Sequence, residues 1–372
     1  MFFFSALFIL YSYEDTLYFF LVFLFLIFQF LPDLVLFSFT PSFRAPVYCG
    51  ALFLIICAIL SKVSFFIPKT NTSLEGNLKR LLIMAGFLMI PLFFTHGINF
   101  NWRLLLLQDI YTQRDILRET SNAYTGYVSN WLSSVVLPII LLISLKKKWY
   151  LYTVISGTSI LYLFMLGGSK AFLFSFLVII FFYVFRKSYT YQLMMFLLFV
   201  LGLLLIGDII DHYFDFYFFN SLFSLRSFFT PALIKQFYFE FFQYRPQLLS
   251  YSIFSSFVSF DFSLSIESLI GGTFYGSYLD NSNTGFIGNA YANFGYVGVV
   301  LYSVFVVVLF RFFSSLSIAP YFSGVFVILT LILQNGSLTT AFLSNGLIVL
   351  IIISCLVLNR TDEKVSLLIK ER

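Results

Sequence analysis

The chain of 372 residues is 60% hydrophobic and 10% charged, and its mean hydropathy of +0.94 exceeds what the core of a soluble protein can absorb. Its net charge of +5 is modest, and in such a chain the position of each charge relative to the membrane matters more than the sum. We therefore expect a membrane protein that sits in a lipid bilayer and has no nucleic-acid partner.

Long apolar runs recur along the whole chain. They are continuous and do not alternate with polar residues, so they predict membrane-spanning helices and not β-strands. The runs cover residues 16–37, 46–61, 81–98, 131–145, 150–166, 171–185, 190–207, 285–309, 321–336 and 341–358. Residues 1–12 are apolar but short, and they form either an eleventh span or an interfacial segment. The expected fold is an all-α, polytopic helical bundle of about 10–11 transmembrane helices forming one transmembrane domain over residues 1–372.

The distribution of lysine and arginine sets the expected orientation. With the predicted spans, most basic residues fall on one side of the membrane, which the positive-inside rule identifies as the cytoplasm. They are Lys62, Lys69, Lys79, Arg80, Lys146, Lys147, Lys148, Arg186, Lys187, Arg311 and the basic residues of 360–372. The C-terminus is then cytoplasmic, and two polar loops, residues 99–130 and 207–284, face the opposite side.

The first polar loop contains a predicted helix at residues 101–120. At about 100° per residue, Arg103, Arg114 and Arg118 fall on one stripe of this helix. The three side chains either reach lipid phosphates at the membrane surface or bind an anionic substrate. Lys170 follows in a short turn between two spans, on the same side of the membrane.

The second polar loop holds a large share of the ionisable residues. Thr230 and Pro231 form a helix-start signal and Pro246 a stop signal, which predicts an amphipathic helix at about 231–244 lying at the membrane surface. Arg226 would stand just before the N-terminus of this helix, where the backbone favours an anion. The alternative is that Arg226 pairs with Asp208, Asp211 or Asp215 and holds the loop together.

The segment that enters the next span is rich in small and amide residues. Asn289 and Asn293 lie one helical turn apart and share a face, and Asn283 precedes them. Buried amides require partners, so these asparagines either pack inside the bundle or line a substrate cleft.

Motifs for metal or cofactor binding are absent from the sequence. It contains no phosphate-binding P-loop, no zinc-protease motif and no Cys-x-x-Cys pair, and it has only two histidines. We therefore expect neither a metal site nor a cofactor.

The chain resembles the O-antigen polymerases (Wzy-type), a family of bacterial inner-membrane proteins. The resemblance covers most of the chain: about ten spans, a smaller arginine-bearing outer loop, one dominant outer loop and several loose motifs. The motifs are Gly168-Ser169-Lys170, Arg226-Ser227-Phe228-Phe229-Thr230-Pro231 with residues 238–242, and Asn283-Thr284-Gly285-Phe286 continuing to Gly298. The turn carries Lys170 where the family usually has arginine, and the family's Arg-x10-Gly loop motif is absent.

The resemblance implies a glycosyltransferase that needs no metal, working on the periplasmic face of the bacterial inner membrane in lipopolysaccharide biosynthesis. It would join oligosaccharide repeat units linked to undecaprenyl pyrophosphate, with a chain-length regulator protein as a further partner. The cationic groups expected to contact pyrophosphate are Arg226, Arg245, Arg103, Arg114, Arg118 and Lys170. The candidate bases for the acceptor hydroxyl are Asp208, Asp211, His212 and Glu240. The alternatives are an O-antigen ligase and a flippase or transporter for lipid-linked oligosaccharides.

Overall fold

The computed structural model describes residues 15–40, 43–70, 72–97, 104, 112–113, 117, 119–120, 122–167, 170–214, 219–244, 246–251, 262, 264–278 and 281–359. Regular structure in this part of the chain is helical, and it contains no β-strand. The predicted all-α class is confirmed.

Thirteen helices are described. They are α1 (Leu17–Phe39), α2 (Arg44–Leu60), α3 (Leu74–His96), α4 (Ala123–Lys147), α5 (Tyr150–Gly167), α6 (Lys170–Val184), α7 (Tyr189–Phe214), α8 (220–241), α9 (266–275), α10 (Phe286–Ser315), α11 (Ser323–Asn335), α12 (Leu338–Phe342) and α13 (Leu347–Leu358).

Six of the described helices are long and apolar enough to cross a membrane, namely α1, α3, α4, α5, α7 and α10. Helices α2, α6, α11 and α13 are apolar but shorter. Each of the ten predicted apolar runs coincides with one of these helices, because a continuous apolar run can satisfy its backbone in lipid only by coiling into a helix. The chain is a helical polytopic membrane protein.

The chain forms two compact units. Unit 1 comprises Met1–Phe65, Thr190–Phe312 and Thr330–Thr340, and unit 2 comprises Phe66–Tyr189, Phe313–Leu329 and Ala341–Arg372. Unit 1 includes the second polar loop, and unit 2 includes the first.

Phenylalanine forms much of the core of unit 1. The ring of Phe53 in α2 is fully buried and lies 4.0 Å from that of Phe25 in α1 and 5.5 Å from that of Phe286 in α10, measured between ring centroids. Packed aromatic pairs of this kind add to the stabilisation that comes from burying their surface. These three rings tie the first two helices of the unit to the start of α10.

Three helices of unit 1 contain π-helical stretches: residues 26–30 of α1, 220–229 of α8 and 271–275 of α9. A π turn changes the hydrogen-bonding register and leaves backbone carbonyls for other donors. Gln334 binds two such carbonyls: its Nε2 donates to the Phe28 carbonyl at 2.7 Å and lies 3.5 Å from the Ser227 carbonyl. One buried amide therefore connects the π-helical stretches of α1 and α8.

Helix α10 is broken near its start. Phe294 and Gly295 leave helical geometry, and Gly295 has a φ of +61°, which glycine adopts without strain. The carbonyls of Ala292 and Asn293, freed by the break, accept from the backbone N–H groups of Gln247 and Leu248 at 2.8 and 3.1 Å. The break thus fixes residues 247–248, in the middle of the second polar loop, onto α10.

Side chain to backbone contacts also stabilise unit 2. Asn122 and Thr125 form a reciprocal capping box at the start of α4. At the other end of the unit, the Asn359 side chain donates to the Pro68 carbonyl at 3.1 Å and accepts from the Ser317 backbone N–H at 3.1 Å. Asn359 thereby joins three segments that are distant in sequence.

Gly285 packs closely against the backbone of Gln334, which predicts that a larger residue there destabilises the protein. A Cβ added there would collide with the backbone carbonyl of Gln334, whereas the helical Gly202 has no atom within 4 Å of such a Cβ. We expect Gly285→Ala to destabilise the protein by about 1–3 kcal/mol, the usual range for overpacking against a rigid neighbour. Thermal unfolding in nanodiscs measures the change.

Gly202→Ala is the matched control, and we expect it to leave the midpoint unchanged or to raise it slightly. Equal midpoints for the two variants would contradict the close contact at Gly285.

Candidate functional site

Helix α8 does not begin where the sequence predicts. The backbones of Phe229 (φ −85°, ψ −37°) and Thr230 (φ −59°, ψ −46°) are both helical, so the chain continues from the π-helical stretch 220–229 into Thr230–Phe241. Pro231 supplies no N–H to the Ser227 carbonyl four residues earlier, and the Gln334 amide lies beside that carbonyl instead. The prediction of a helix N-terminus at Thr230 is wrong, and Arg226 lies inside the helix.

Asp211 in α7 binds the first described turn of α8. One carboxylate oxygen accepts from the Phe219 N–H at 3.2 Å, and the other accepts from the Asn220 N–H at 2.7 Å. Among the described residues these N–H groups have no acceptor within α8, and a charged acceptor near a helix start is also favoured by the helix dipole. Asp211 is 2% exposed, so both of its oxygens are engaged inside the protein.

Asp208 lies one turn earlier on α7 and is exposed. Its Oδ1 accepts from the Asn220 side-chain amide at 3.4 Å, which is a long contact. Asp208 and Asp211 are both candidate bases in the sequence, but their surroundings in the structure differ. Asp211 binds the first described turn of α8, whereas Asp208 is exposed at the protein surface.

A buried ion pair joins the middle of α8 to α1. The Lys235 Nζ donates to Asp33 Oδ2 at 2.6 Å and to Gln29 Oε1 at 3.1 Å. The side chains of Lys235 and Asp33 are only 3% and 0% exposed. Lys235 and the adjacent Gln236 are both buried, so this part of the polar side of α8 packs inside unit 1, whereas Glu240, one turn further on, is exposed.

Asp33 and Gln29 are absent from the candidate residues that the sequence indicates. The available signal is that Asp33 is the single charged residue in the apolar run 16–37. An ionisable residue inside a membrane span is a functional candidate by default, because burying an unpaired charge in lipid is strongly unfavourable.

The C-terminal end of α8 is held by a third polar contact. The Tyr238 hydroxyl donates to the Ser282 carbonyl at 3.0 Å, within a buried cluster that includes Phe242, Ile266 and Ala292. Burial, together with the charge of Glu267, raises the pKa of the Tyr238 phenol well above its usual value, so it stays protonated and donates. Asp211, Lys235 and Tyr238 therefore fix the start, middle and end of α8.

Arg226 stands on the open side of this anchored helix. The guanidinium is exposed, and none of the described carboxylates pairs with it, so the alternative of a salt bridge to Asp208 or Asp211 is not realised. The third candidate partner, Asp215, lies outside the described residues. An arginine held on an ordered helix without an acidic partner can bind an anion through its planar set of donors.

Two other candidate bases are also exposed. Glu240 accepts from the Gln236 side-chain amide at 2.7 Å, one turn away on α8. His212, next to the capping residue Asp211, has its ring 6.2 Å from that of Tyr213. Both side chains lie at the protein surface, where a substrate can reach them.

The three candidate asparagines differ in their surroundings. Asn283 is exposed, and Asn289 is partly buried with an Oδ1 that has no described partner. The buried Asn293 accepts from the Leu249 N–H and donates to the Asn289 carbonyl, both at 2.8 Å. The Asn293 amide is thus engaged in holding the helix break, whereas Asn283 faces solvent.

The remaining predicted cations lie outside the described part of the structure. These are Arg103, Arg114, Arg118 and Arg245, together with the side chain of Lys170, whose backbone begins α6. Among the described residues, no group of three or more His, Cys, Asp or Glu side chains is placed to hold a metal ion.

Comparisons with protein-family models, with curated proteins and with solved structures found no match to this chain.

Asp208 and Asp211, the two acids of α7 that contact the first described turn of α8, give a prediction about the stability of the protein. Asp211→Ala removes the acceptor of two backbone N–H groups, and we expect a loss of about 0.5–2 kcal/mol, the range for losing a helix cap. Thermal unfolding in nanodiscs measures it.

Asp208→Ala is the comparison on the same helix, and we expect a much smaller shift because Asp208 is exposed. A loss for Asp208→Ala equal to or larger than that for Asp211→Ala would show that Asp211 is not the cap.

Proposed function

We propose that this protein polymerises oligosaccharide repeat units that are linked through pyrophosphate to undecaprenol, on the periplasmic face of the bacterial inner membrane. The observation that carries the proposal is Arg226, an exposed guanidinium with no described acidic partner on a helix that three polar contacts fix to a membrane-embedded unit. The resemblance to O-antigen polymerases supplies the substrate class.

The reaction transfers a glycosyl group. The bond between the anomeric carbon of the donor and the pyrophosphate oxygen breaks, and a bond to an acceptor hydroxyl oxygen forms. Arg226 would neutralise the charge that develops on the departing lipid pyrophosphate, because a preorganised cation stabilises charge where it forms. Asp208, His212 or Glu240, all three exposed, would take the proton of the acceptor hydroxyl.

Membrane embedding favours this type of substrate. A polyprenyl chain partitions into lipid, so its diphosphate reaches the protein at the membrane surface and not from bulk solution. Binding and orientation of two tethered substrates would supply much of the acceleration, since holding reactants in a productive geometry lowers the entropic part of the barrier. Neither a metal nor a cofactor is needed in this scheme.

A transporter of lipid-linked oligosaccharides is the second candidate. The observation that favours it is the buried pair of Lys235 and Asp33, because charges inside membrane helices are typical of substrate and ion pathways.

A ligase that transfers finished chains is a further alternative. Deletion separates the polymerase from the other two candidates: loss of a polymerase leaves lipid A core with one repeat unit, whereas loss of a ligase or of a flippase leaves core with none.

Substitution of Arg226 tests the proposed chemistry. We expect Arg226→Ala to lower the yield of long polymer by roughly 100-fold, as is typical when one group that stabilises developing charge is removed. Arg226→Lys keeps the charge but loses the planar fork of donors and should retain part of the activity. The readout is the chain-length distribution on a gel from the complemented deletion strain, with protein levels measured in parallel.

Arg186→Ala is the matched control. Its guanidinium is exposed and lies 4.3 Å from the centre of the Tyr183 ring, close to its own helix. We expect normal polymer from this variant. Full-length polymer at normal amounts from Arg226→Ala would remove the proposed anion contact.

Orientation gives a separate prediction. In a background without other thiols, we expect Arg226→Cys to react with a membrane-impermeant maleimide in intact spheroplasts. Lys187→Cys should react only after permeabilisation, because the excess of lysine and arginine marks its side as cytoplasmic. Labelling in the opposite order would place α8 in the cytosol and would exclude a periplasmic reaction.

A further inference from the structure

The pair of Asp33 and Lys235 is not arranged for maximum stability. Asp33 is fully buried, and its Oδ1 has no hydrogen-bond donor among the described residues. Taking two charges out of water is strongly unfavourable, and their attraction offsets this only when all polar atoms are satisfied. An apolar pair of similar volume would therefore hold α8 against α1 at least as firmly.

The ion pair fixes the rotation and register of α8 against α1. Its two hydrogen bonds, from Lys235 to Asp33 Oδ2 and to Gln29 Oε1, have defined lengths and angles, whereas apolar packing tolerates rotation and sliding. Gln29 belongs to the π-helical stretch of α1, and its preceding residue, Phe28, accepts from Gln334. A single buried polar interaction can set the register of packed helices at some loss of stability.

The side of α8 that carries Arg226 is set by this register. Lys235 is buried and Arg226 is exposed nine positions earlier on the same continuous helix. A rotation of α8 about its axis would move both side chains together, because a helix transmits rotation as a nearly rigid body. The register of Lys235 on α1 therefore fixes the direction in which Arg226 points.

We infer that Asp33, Gln29 and Lys235 form a positioning site that orients Arg226 for its anionic substrate, and that the charges of Asp33 and Lys235 serve this role and not the stability of the fold. The inference assigns a function to three residues outside the reacting groups. It rests on the proposed role of Arg226 for its effect on polymer length, but the orientation of Arg226 can be measured without that role.

The test uses a neutral pair of similar size. In Asp33→Asn combined with Lys235→Met, no charge is left buried without a partner, so we expect accumulation and thermal midpoint close to those of the parent. Each single substitution leaves one buried charge alone and should lower both strongly. The decisive readout is the rate at which Arg226→Cys reacts with a charged maleimide in nanodiscs, which we expect to change severalfold in the neutral-pair background.

The polymer gel gives a second readout in the background that keeps Arg226, and we expect shorter chains from the neutral pair. An unchanged thiol rate would overturn the inference, whatever the gel shows. A changed thiol rate with normal polymer would support the positioning site and contradict the proposed role of Arg226, so the two failures are distinguishable.

Two further variants serve as an alternative test and as a control. Gln29→Met removes one acceptor of Lys235 and leaves the ion pair with Asp33 intact, so it replaces the neutral pair if that variant does not accumulate. We expect it to change the rate of the Arg226→Cys thiol reaction less than the neutral pair does. An unchanged rate would again overturn the inference. The control is Glu75→Gln with Lys79→Met, which neutralises an exposed pair 3.1 Å apart on α3. We expect this control to change neither the thiol rate nor the polymer.

Discussion

The contact between the Lys235 ammonium and the Asp33 carboxylate is the constraint on which the account of this protein depends. It places a charged side chain of the second polar loop against a charged side chain of a membrane span, with both almost completely buried. Neither charge can be buried alone without a large loss of stability, so each requires the other. Helix α8 is consequently part of the membrane-embedded unit and not a separate surface element.

The exposed groups of the loop follow from this arrangement. With Lys235 turned towards α1 and Tyr238 towards Ser282, α8 packs against α1, α2 and α9, and the side of Arg226 and Glu240 stays open. The cap by Asp211 and the amide of Gln334 hold the π-helical part that contains Arg226. An anion-binding group on such a support is preorganised, which is the property that electrostatic stabilisation of a leaving group requires.

The sequence predicted the helices well, because hydropathy is a local property and the ten apolar runs each form a helix. It failed where structure depends on distant partners. Lys235 and Asp33 are 202 positions apart, and the amphipathic pattern around Lys235 suggested a surface helix. The predicted helix start at Thr230 is wrong because the chain is already helical when it reaches Thr230, following the π-helical stretch 220–229, which local start signals do not reveal.

The structure gives the predicted site residues different surroundings. Arg226 is exposed as an anion contact must be, but Asp211 and Asn293, which the sequence offered as a base and a cleft residue, use their side chains to fix backbone. An acid near a helix end and an amide near a helix break look the same in a sequence whether they bind a ligand or a peptide group. Only the position of the accepting and donating atoms separates the two roles.

Lysine acylation of the purified protein in nanodiscs, read residue by residue by mass spectrometry, tests the central contact most directly. Lys147, an exposed lysine at the end of α4, provides the reference rate, and both faces of a nanodisc are open to the reagent. The account predicts that Lys235 stays unmodified until the protein is denatured. Modification of Lys235 at the rate of Lys147 in the native protein would contradict it.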